Sequence, residues 1–442
     1  MSFTTGELSG YICGELLGDP DIVCSGAEID SRNCCEGKVF FAMQGENVDG
    51  HDYLDSAILS GCSAVVVEKL RDVSVPLIVV QDTRKALQIL AEERRKSIRL
   101  ECVSAITGSV GKTTTKDILA HILGEGTTSS RKSFNNDLGV PLTILDAEDS
   151  NYLVAEVGAN DVGEIEPLAD LIQPDVAILT SIERAHLDGF GNLNTVLVEK
   201  GKLLQAVPKR GFVVVPDTID VSGIDISATV CTVGSKSSDV YIKTGTNPEG
   251  FSTLEIEGHK VVLSLLGSHN AVNAALAIVA ARHILKTISI QKLLALAAEV
   301  SSPDGRLNKQ RVKEIVFYDD SYNANPASMR SAIEFFSAVK GRRKVLVLGA
   351  MLELGEHSHF EHKLLANLIS KTEVDLIILV GQEMEPVSEM LGSIFEPVSD
   401  DSAIERIANL LCPRDTVLIK GSRGFKLERI IETIRHTKVS TL

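Results

Sequence analysis

The stretch "CVSAITGSVGKTTTKDILAHIL", residues 102–123, decides the fold class of this chain. Its first six residues predict a buried strand, and "KDILAHIL" has the apolar spacing of a helix. The glycines between them let backbone N–H groups face an anion, and the helix N-terminus favours negative charge. Lys112 is then placed to contact nucleotide phosphates, and the Thr113 hydroxyl to bind Mg²⁺. The spacing departs from G-x-x-x-x-G-K-[ST] because Ile106 occupies the first glycine position.

Short apolar strands and helices alternate on both sides of this loop. Such alternation is typical of an α/β protein with a mostly parallel sheet covered by helices on both faces. We therefore predict an α/β chain with a central P-loop-type ATPase domain. Strands are predicted at 64–67, 75–80, 152–157, 175–180, 211–216, 344–351, 375–381 and 415–422, and helices at 82–96 and 267–285.

The chain is long enough for three domains, since 442 residues at roughly 150 per domain suggest about three. The Pro/Gly/Ser-rich "SSPDGR", residues 301–306, marks a junction after which the strand pattern restarts. We predict a small α/β domain at 1–82, the central domain at 83–311 and a Rossmann-like α/β domain at 312–442.

Composition excludes several classes of function. A net charge of −16 argues against a sequence-independent nucleic-acid binder, which needs a positive face. No apolar run approaches 18 residues and the first residues lack a signal-peptide pattern, so we expect no membrane partner. Eight cysteines without a C-x-x-C spacing favour reduced thiols in the cytoplasm. The adjacent Cys34 and Cys35 receive no role.

Two further side chains follow predicted strands of the central domain. Glu156 lies at the end of the strand at 152–157, and His186 follows the strand at 175–180. Open α/β sheets bind ligands at the carboxyl ends of their strands. Because a bound triphosphate needs a metal, we predict that both side chains lie near the Mg²⁺ site beside Thr113.

The motifs in combination resemble the Mur ligase family of ATP-dependent ligases. They are "TGSVGKTTT", "DSR" at 30–32, "HNAVN" at 269–273, "GR" at 305–306 and "DDSYNANP" at 319–326. "FNNDLGVPLTIL", "EVGANDVGEI", "LGAMLELGEHS" and "KGSR" are most similar to members that join D-alanyl-D-alanine to UDP-N-acetylmuramoyl-tripeptide. The resemblance implies a bacterial cytoplasmic enzyme of peptidoglycan precursor synthesis, which activates a carboxylate as an acyl phosphate. Its partners would be small molecules, and a monomer is expected.

The resemblance also implies roles for individual residues at the nucleotide. Lys112, Lys200, His186 and Arg306 would be catalytic, with Arg306 near the phosphates. Asp320 would hold the ribose. The implied ATP-binding residues are Gly108, Ser109, Val110, Gly111, Lys112, Thr113, Thr114, Asn270, Asn273, Arg306 and Asp320.

The resemblance to the family also implies a metal centre that includes a chemically modified lysine. Thr113, Glu156 and His186 would hold Mg²⁺, together with a lysine that CO₂ converts into an anionic carbamate. In "VEKGKLL" this lysine is Lys200. The related ligases often read K-G-E here, and Lys202 replaces that glutamate, so Lys202 stays the alternative.

The resemblance assigns the other two substrates to the outer domains. Asp30, Ser31 and Arg32 would contact the UDP group. Asn323, Asn325 and Pro326 are the candidates for the dipeptide. The residues do not reveal the base that deprotonates the amine, nor whether the third residue of the tripeptide is diaminopimelate or lysine.

Two alternatives stay open. The first is another ligase of the family, which adds one amino acid to a UDP-muramoyl peptide or glutamate to folate. The second is a P-loop switch that binds nucleotide without making a product. A switch would carry a base-recognition motif such as N-K-x-D, which this sequence lacks.

Overall fold

The structure is a computed structural model that describes residues 2–45, 48–184 and 187–436. It contains three main sheets, each flanked by helices. Among the described residues, no helix is both long enough and apolar enough to cross a membrane.

The first sheet has five strands in the order β2-β7-β6-β5-β4, and a small β1-β3 pair lies beside it. β2 pairs antiparallel with β7, whereas the other neighbours pair in parallel. The strand predicted at 64–67 is confirmed as β6, which is fully buried. The elements are β1 (Phe3–Thr4), α1 (Thr5–Tyr11), β2 (Glu15–Leu17), β3 (Val23–Cys24), β4 (Ala27–Glu28), β5 (Val39–Phe41), α2 (Leu54–Leu59), β6 (Ala64–Val67) and β7 (Leu77–Val79), with 3₁₀ turns at Ser31–Asn33 and Gly50–Tyr53.

The central sheet has nine strands in the order β16-β15-β14-β13-β12-β11-β8-β10-β9. From β9 at one edge to β14, each strand pairs in parallel with its neighbour. β14, β15 and β16 then form an antiparallel meander. The elements are α3 (Thr83–Ser97), β8 (Cys102–Thr107), α4 (Lys112–Leu123), β9 (Thr127–Ser129), α5 (Gly139–Asp146), β10 (Tyr152–Glu156), α6 (Ile165–Ile172), β11 (Val176–Leu179), α7 (Leu187–Phe190), α8 (Leu193–Gln205), β12 (Phe212–Pro216), β13 (Thr229–Gly234), β14 (Val240–Thr246), β15 (Phe251–Ile256), β16 (His259–Leu266), α9 (His269–Leu285) and α10 (Ile290–Glu299).

The third sheet has six strands in the order β17-β18-β22-β19-β20-β21, all parallel except β17. The elements are β17 (Asn308–Val312), β18 (Ile315–Asp320), α11 (Pro326–Ala338), β19 (Arg343–Gly349), α12 (Ser358–Ile369), β20 (Leu376–Val380), α13 (Glu385–Leu391), β21 (Ile394–Glu396), α14 (Asp401–Leu410), β22 (Asp415–Lys420) and α15 (Arg429–His436), with 3₁₀ turns at Gly355–His357, Gln382–Met384 and Arg423–Phe425.

Hydrophobic cores lie on both faces of the central sheet. α4, α9 and α10 cover one face, where the alanines of α9 are buried against apolar side chains of the strands. On the other face, Phe3 and Phe41 of the first unit share a continuous cluster with Leu87 and Leu142. The first and central units are therefore packed together through apolar side chains, with α3 and α5 between their sheets.

Two features of the central and third sheets were not predicted from the sequence. The segment 217–266 carries β13 to β16, whose edge strands mix exposed and buried residues without a long apolar run. β17 pairs antiparallel with β18, so the third sheet begins at Asn308, ahead of residue 311. The start of this sheet is therefore set by the pairing of β17 with β18 in a hairpin, and not by the Pro/Gly-rich stretch at 301–306.

Candidate active site

The loop between β8 and α4 is held in place by the segment that follows β11. The backbone N–H of Ser109 donates to Ser181 O at 2.9 Å, and Val110 N donates to the Ser181 hydroxyl at 2.9 Å. Thr180 Oγ1 donates to Val110 O at 2.6 Å. These contacts fix the loop just before α4, which begins at Lys112 and has Gly111 at its N-cap.

Both glycines of the loop are required by the space around them. Gly108 has φ +147°, and a Cβ there would lie 2.0 Å from Thr180 Oγ1. Gly111 has φ +85°, a left-handed conformation, and a Cβ there would lie 2.4 Å from Asn273 Oδ1. The loop is thus fitted between β11 and α9.

The two asparagines of α9 stand behind this loop. The Asn273 side chain lies against Gly111, and its Nδ2 donates to Asn270 Oδ1 at 2.9 Å. Asn270 Nδ2 donates to Leu266 O at 2.8 Å. Both are buried, so in this structure they brace the loop, and their predicted contact with ATP stays a prediction.

A chain of polar contacts runs through the predicted metal site. Thr113 Oγ1 donates to Glu156 Oε2 at 2.7 Å, and Asn135 Nδ2 donates to Glu156 Oε1 at 2.8 Å. Ser133 Oγ lies 3.2 Å from Thr113 Oγ1, and Arg306 Nη2 donates to Ser133 Oγ at 2.8 Å. A buried hydroxyl in contact with a buried carboxylate is a donor set that suits Mg²⁺.

Lys112 lies at the centre of these charges. Its Nζ donates to Gly108 O at 2.7 Å, across the loop. Burial lowers the pKa of Lys112, the Glu156 carboxylate opposes that shift, and the Arg306 guanidinium adds to it. Two cations and one carboxylate therefore converge where the helix N-terminus also favours an anion.

His186 lies outside the described residues, so its predicted place at the metal stays a prediction. Close by in the chain, Arg184 Nη1 pairs with Glu361 Oε1 of α12 at 2.7 Å. The Glu361 carboxylate is buried, and this ion pair joins the central unit to the third one.

Lys200 and Lys202 have opposite surroundings on α8. Lys200 is 2% exposed, and its Nζ lies 5.7 Å from the centre of the Phe190 ring. Burial, with a smaller contribution from Lys112, lowers the pKa of Lys200 to about 7. The Lys202 ammonium instead pairs with Glu199 Oε2 at 2.8 Å, which raises its pKa.

The residues predicted for the ribose and the dipeptide follow β18. Asp320 Oδ2 accepts from Lys420 Nζ at 2.6 Å, and the same ammonium donates to Asn323 O at 3.0 Å. Asn325 caps α11 by accepting from Ser328 N at 2.8 Å, and Pro326 is the first residue of that helix. Asn325 and Pro326 thus have a local structural role, while their contact with a dipeptide stays a prediction.

The "DSR" turn is organised by its own side chains. Asp30 caps a 3₁₀ turn by accepting from Arg32 N at 3.0 Å, and Ser31 is buried within that turn. The Arg32 guanidinium donates to both carboxylate oxygens of Asp30, at 2.9 and 2.7 Å, and these hydrogen bonds lower the Asp30 pKa. The exposed guanidinium lies at the surface, where a nucleotide ligand can reach it.

Buried charges connect this turn to the phosphate site. Glu28 is 2% exposed; its Oε1 accepts from Ile29 N at 2.9 Å, and its Oε2 accepts from Arg131 Nη1 at 2.6 Å. Arg131 also pairs with Asp146, which contacts Lys38 at 3.2 Å. Arg131 lies two residues before Ser133, which contacts Thr113 at the predicted metal site. The ion pair of Arg131 with Glu28 therefore joins the first and central units close to that site.

Replacing Arg131 by glutamine should destabilise this junction, because the buried Glu28 carboxylate loses its charged partner. We expect the free energy of unfolding to fall by about 1–3 kcal/mol in urea titration. The matched control is Arg84→Gln, which removes an exposed pair with Asp137. That control should change stability by at most about 1 kcal/mol. Equal effects of the two substitutions would contradict a special role for the Glu28 pair.

The sequence reasoning missed several residues that the structure brings to the site. Ser133 and Asn135 contact Thr113 and Glu156, and buried Lys116 holds Ser130 O at 2.7 Å. The signal was available in part, because Asn135 lies in "FNNDLGVPLTIL" and Lys420 in "KGSR". Neither motif reveals its partner, since each contact joins residues far apart in the chain.

Comparisons with known proteins agree with this arrangement. Three family models match the chain: "Mur ligase family, catalytic domain" over 24–101, "Mur ligase middle domain" over 106–281 and "Mur ligase, glutamate ligase domain" over 305–423. UDP-N-acetylmuramoyl-tripeptide–D-alanyl-D-alanine ligase of Haemophilus influenzae is 33% identical over 98% of this chain and 99% of that protein.

Two solved structures have a similar fold. MurF from Acinetobacter baumannii is 30% identical with a TM-score of 0.85, covering 99% of each chain. MurF ligase from Thermotoga maritima in complex with ADP is 28% identical with a TM-score of 0.76, covering 93% of this chain and 97% of that one.

The family models and the relatives over the whole chain identify an ATP-dependent ligase that forms an amide bond. The chain belongs to the Mur ligase family.

Proposed function

We propose that this enzyme joins the amine of D-alanyl-D-alanine to the C-terminal carboxylate of UDP-N-acetylmuramoyl-tripeptide. The products would be UDP-N-acetylmuramoyl-pentapeptide, ADP and phosphate, a step of peptidoglycan precursor synthesis in the cytoplasm. The observation that carries the chemistry is the convergence of Lys112, Thr113–Glu156 and Arg306 at one helix N-terminus. The similarity over the whole chain to the Haemophilus influenzae ligase supports these substrates.

The reaction needs an activated carboxylate, because an unactivated one resists attack by an amine. The tripeptide carboxylate takes the γ-phosphoryl group of ATP, which gives an acyl phosphate and ADP. The amine of the dipeptide then attacks the carbonyl carbon, and phosphate leaves from the tetrahedral intermediate. Lys112 and Arg306 offset the negative charge of the transferring group. Mg²⁺ held by Thr113, Glu156 and His186 would supply further positive charge.

The three units would divide the substrates among them. We propose that residues 1–82 bind the UDP group through Asp30, Ser31 and Arg32, and that 83–311 bind ATP. Residues 312–442 would admit the dipeptide, with Asn323, Asn325 and Pro326 as candidates. Asp320 would hold the ribose, and its ion pair with Lys420 supports this by fixing the carboxylate in place. A monomer suffices for this division.

We propose Lys200, rather than Lys202, as the lysine that forms a carbamate. CO₂ adds to a neutral amine, and a Lys200 pKa of about 7 makes a neutral amine available near neutral pH. Lys202 is held as a cation by Glu199, which disfavours the same addition. The carbamate would convert a cation beside the metal site into an anion that can bind Mg²⁺.

Carbamate formation should therefore depend on pH. With a Lys200 pKa of about 7, the neutral fraction is about one half at pH 7 and about one tenth at pH 6. Enzyme equilibrated with ¹³C-bicarbonate should show a carbamate ¹³C resonance that is strong at pH 8 and weak at pH 6. A resonance that appears only above pH 10 would instead indicate a lysine with an ordinary or raised pKa.

The function is tested by measuring phosphate release with ATP, Mg²⁺, UDP-muramoyl-tripeptide and D-alanyl-D-alanine, each omitted in turn. We expect release to require all four, and mass spectrometry to detect the UDP-pentapeptide. Coupled turnover with a single amino acid in place of the dipeptide would favour the other ligases of the family. Turnover of ATP alone would favour a nucleotide switch.

A further inference from the structure

The carboxyl ends of β22 and β19 lie side by side at one edge of the third sheet. These strands are neighbours, yet the chain leaves them in different directions: after β22 it forms α15, which packs with α14, whereas after β19 it forms α12, on the opposite face. Open α/β sheets bind ligands at such a divergence. Gly349 and Gly421 face each other there, and a Cβ on Gly421 would lie 2.9 Å from the Gly349 Cα.

Arg423 lies at these carboxyl ends, three residues after Lys420, the last residue of β22. Its Cζ lies 5.8 Å from the centre of the Tyr322 ring, and Arg306 Cζ lies 4.1 Å from the centre of the same ring. Arg306 also donates to Ser133, which contacts Thr113. The Tyr322 ring therefore lies near both the guanidinium at the phosphate site and the guanidinium of Arg423.

The closeness of the two guanidinium groups suits a dipeptide. The amine of the incoming substrate has to reach the acyl phosphate near Lys112 and Arg306. Two residues of extended chain span about 7 Å, so the free carboxylate of the dipeptide ends about that far away. Arg306 Cζ and Arg423 Cζ lie 4.1 and 5.8 Å from the same ring centre, so one dipeptide can reach both guanidinium groups.

The chemistry of Arg423 suits a carboxylate. The side chain is 55% exposed, and Nη1 donates to Glu428 Oε1 at 2.8 Å, which orients the guanidinium. Nε and Nη2 form an edge that can donate two parallel hydrogen bonds to one carboxylate.

We propose that Arg423 binds the C-terminal carboxylate of the incoming dipeptide and selects substrates in which that carboxylate is free. The inference rests on the proposed function and adds a specificity residue to it. Arg423 is distinct from Asn323, Asn325 and Pro326, because it acts on the end of the dipeptide that does not react.

The test compares D-alanyl-D-alanine with D-alanyl-D-alaninamide, which lacks the negative charge, in wild type, Arg423→Gln and Arg423→Lys. In Arg423→Gln, kcat/KM for the free acid should fall about 10- to 100-fold through KM, while kcat/KM for the amide stays within about threefold. Arg423→Lys keeps the charge without the bidentate edge and should lie between wild type and Arg423→Gln.

The matched control is Arg406→Gln. Arg406 is also 55% exposed and pairs with a glutamate, Glu396, but it lies at the far edge of the sheet beside β21. The Arg406→Gln substitution should not change the preference of the enzyme for the free acid over the amide. Equal losses for acid and amide in Arg423→Gln, or no loss for either, would overturn the assignment of Arg423. Wild-type enzyme that does not turn over D-alanyl-D-alanine would overturn the proposed function itself, and this inference with it.

Discussion

Replacing Lys112 by methionine should lower kcat/KM for ATP-dependent ligation by about 10²- to 10³-fold, because one positioned donor to a transferring phosphoryl group contributes on this scale. Methionine preserves most of the side-chain volume and removes the charge. Since burial already lowers the Lys112 pKa, the folded protein gains little from this charge. We therefore expect the free energy of unfolding in urea to change by less than about 1.5 kcal/mol.

Lys116→Met provides the contrast, four residues further along α4. The Lys116 ammonium is buried and donates to Ser130 O at 2.7 Å and to Lys132 O at 3.0 Å. Its loss should lower the free energy of unfolding by about 1–3 kcal/mol, because the buried Ser130 carbonyl group loses a charged donor. A Lys112→Met enzyme that kept a tenth of wild-type activity would show that Lys112 is not the phosphate-binding lysine.

Lys200→Met should reduce kcat by about 10²- to 10³-fold and abolish the carbamate ¹³C resonance, whereas Lys202→Met should stay within about threefold of wild type. The reason lies in the surroundings of the two side chains. Lys200 is buried beside Phe190 with its pKa lowered to about 7, and Lys202 is an ion-paired cation that is 24% exposed.

The two lysine variants control for each other, since they lie on the same helix and lose the same group. Thermal unfolding should separate structural loss from catalytic loss. If Lys202→Met were the inactive variant and lost the resonance, the carbamate would belong to Lys202. The functional lysine would then stand where related ligases often have the glutamate of K-G-E. If both kept the resonance, neither lysine would be its source.

Much of the fold was legible in the sequence because its determinants are local. β6 and β8 were predicted from short, largely apolar stretches, and the helix predicted at 82–96 is α3, which Asp82 caps by accepting from Lys85 N at 2.8 Å. The meander from β14 to β16 was missed because edge strands do not present an apolar run on both faces. Pairing partners, rather than composition, define those strands.

The sequence by itself determined that the chain carries a phosphate loop in an α/β fold, since Gly111, Lys112 and Thr113 follow a predicted strand and precede a predicted helix. Only the tertiary structure decided which side chains complete the site. The contact of Thr113 with Glu156 spans 43 residues, that of Arg131 with Glu28 spans 103, and that of Arg306 with Ser133 spans 173. Such contacts depend on how strands are ordered in the sheets, and residue spacing along the chain carries no direct record of that order.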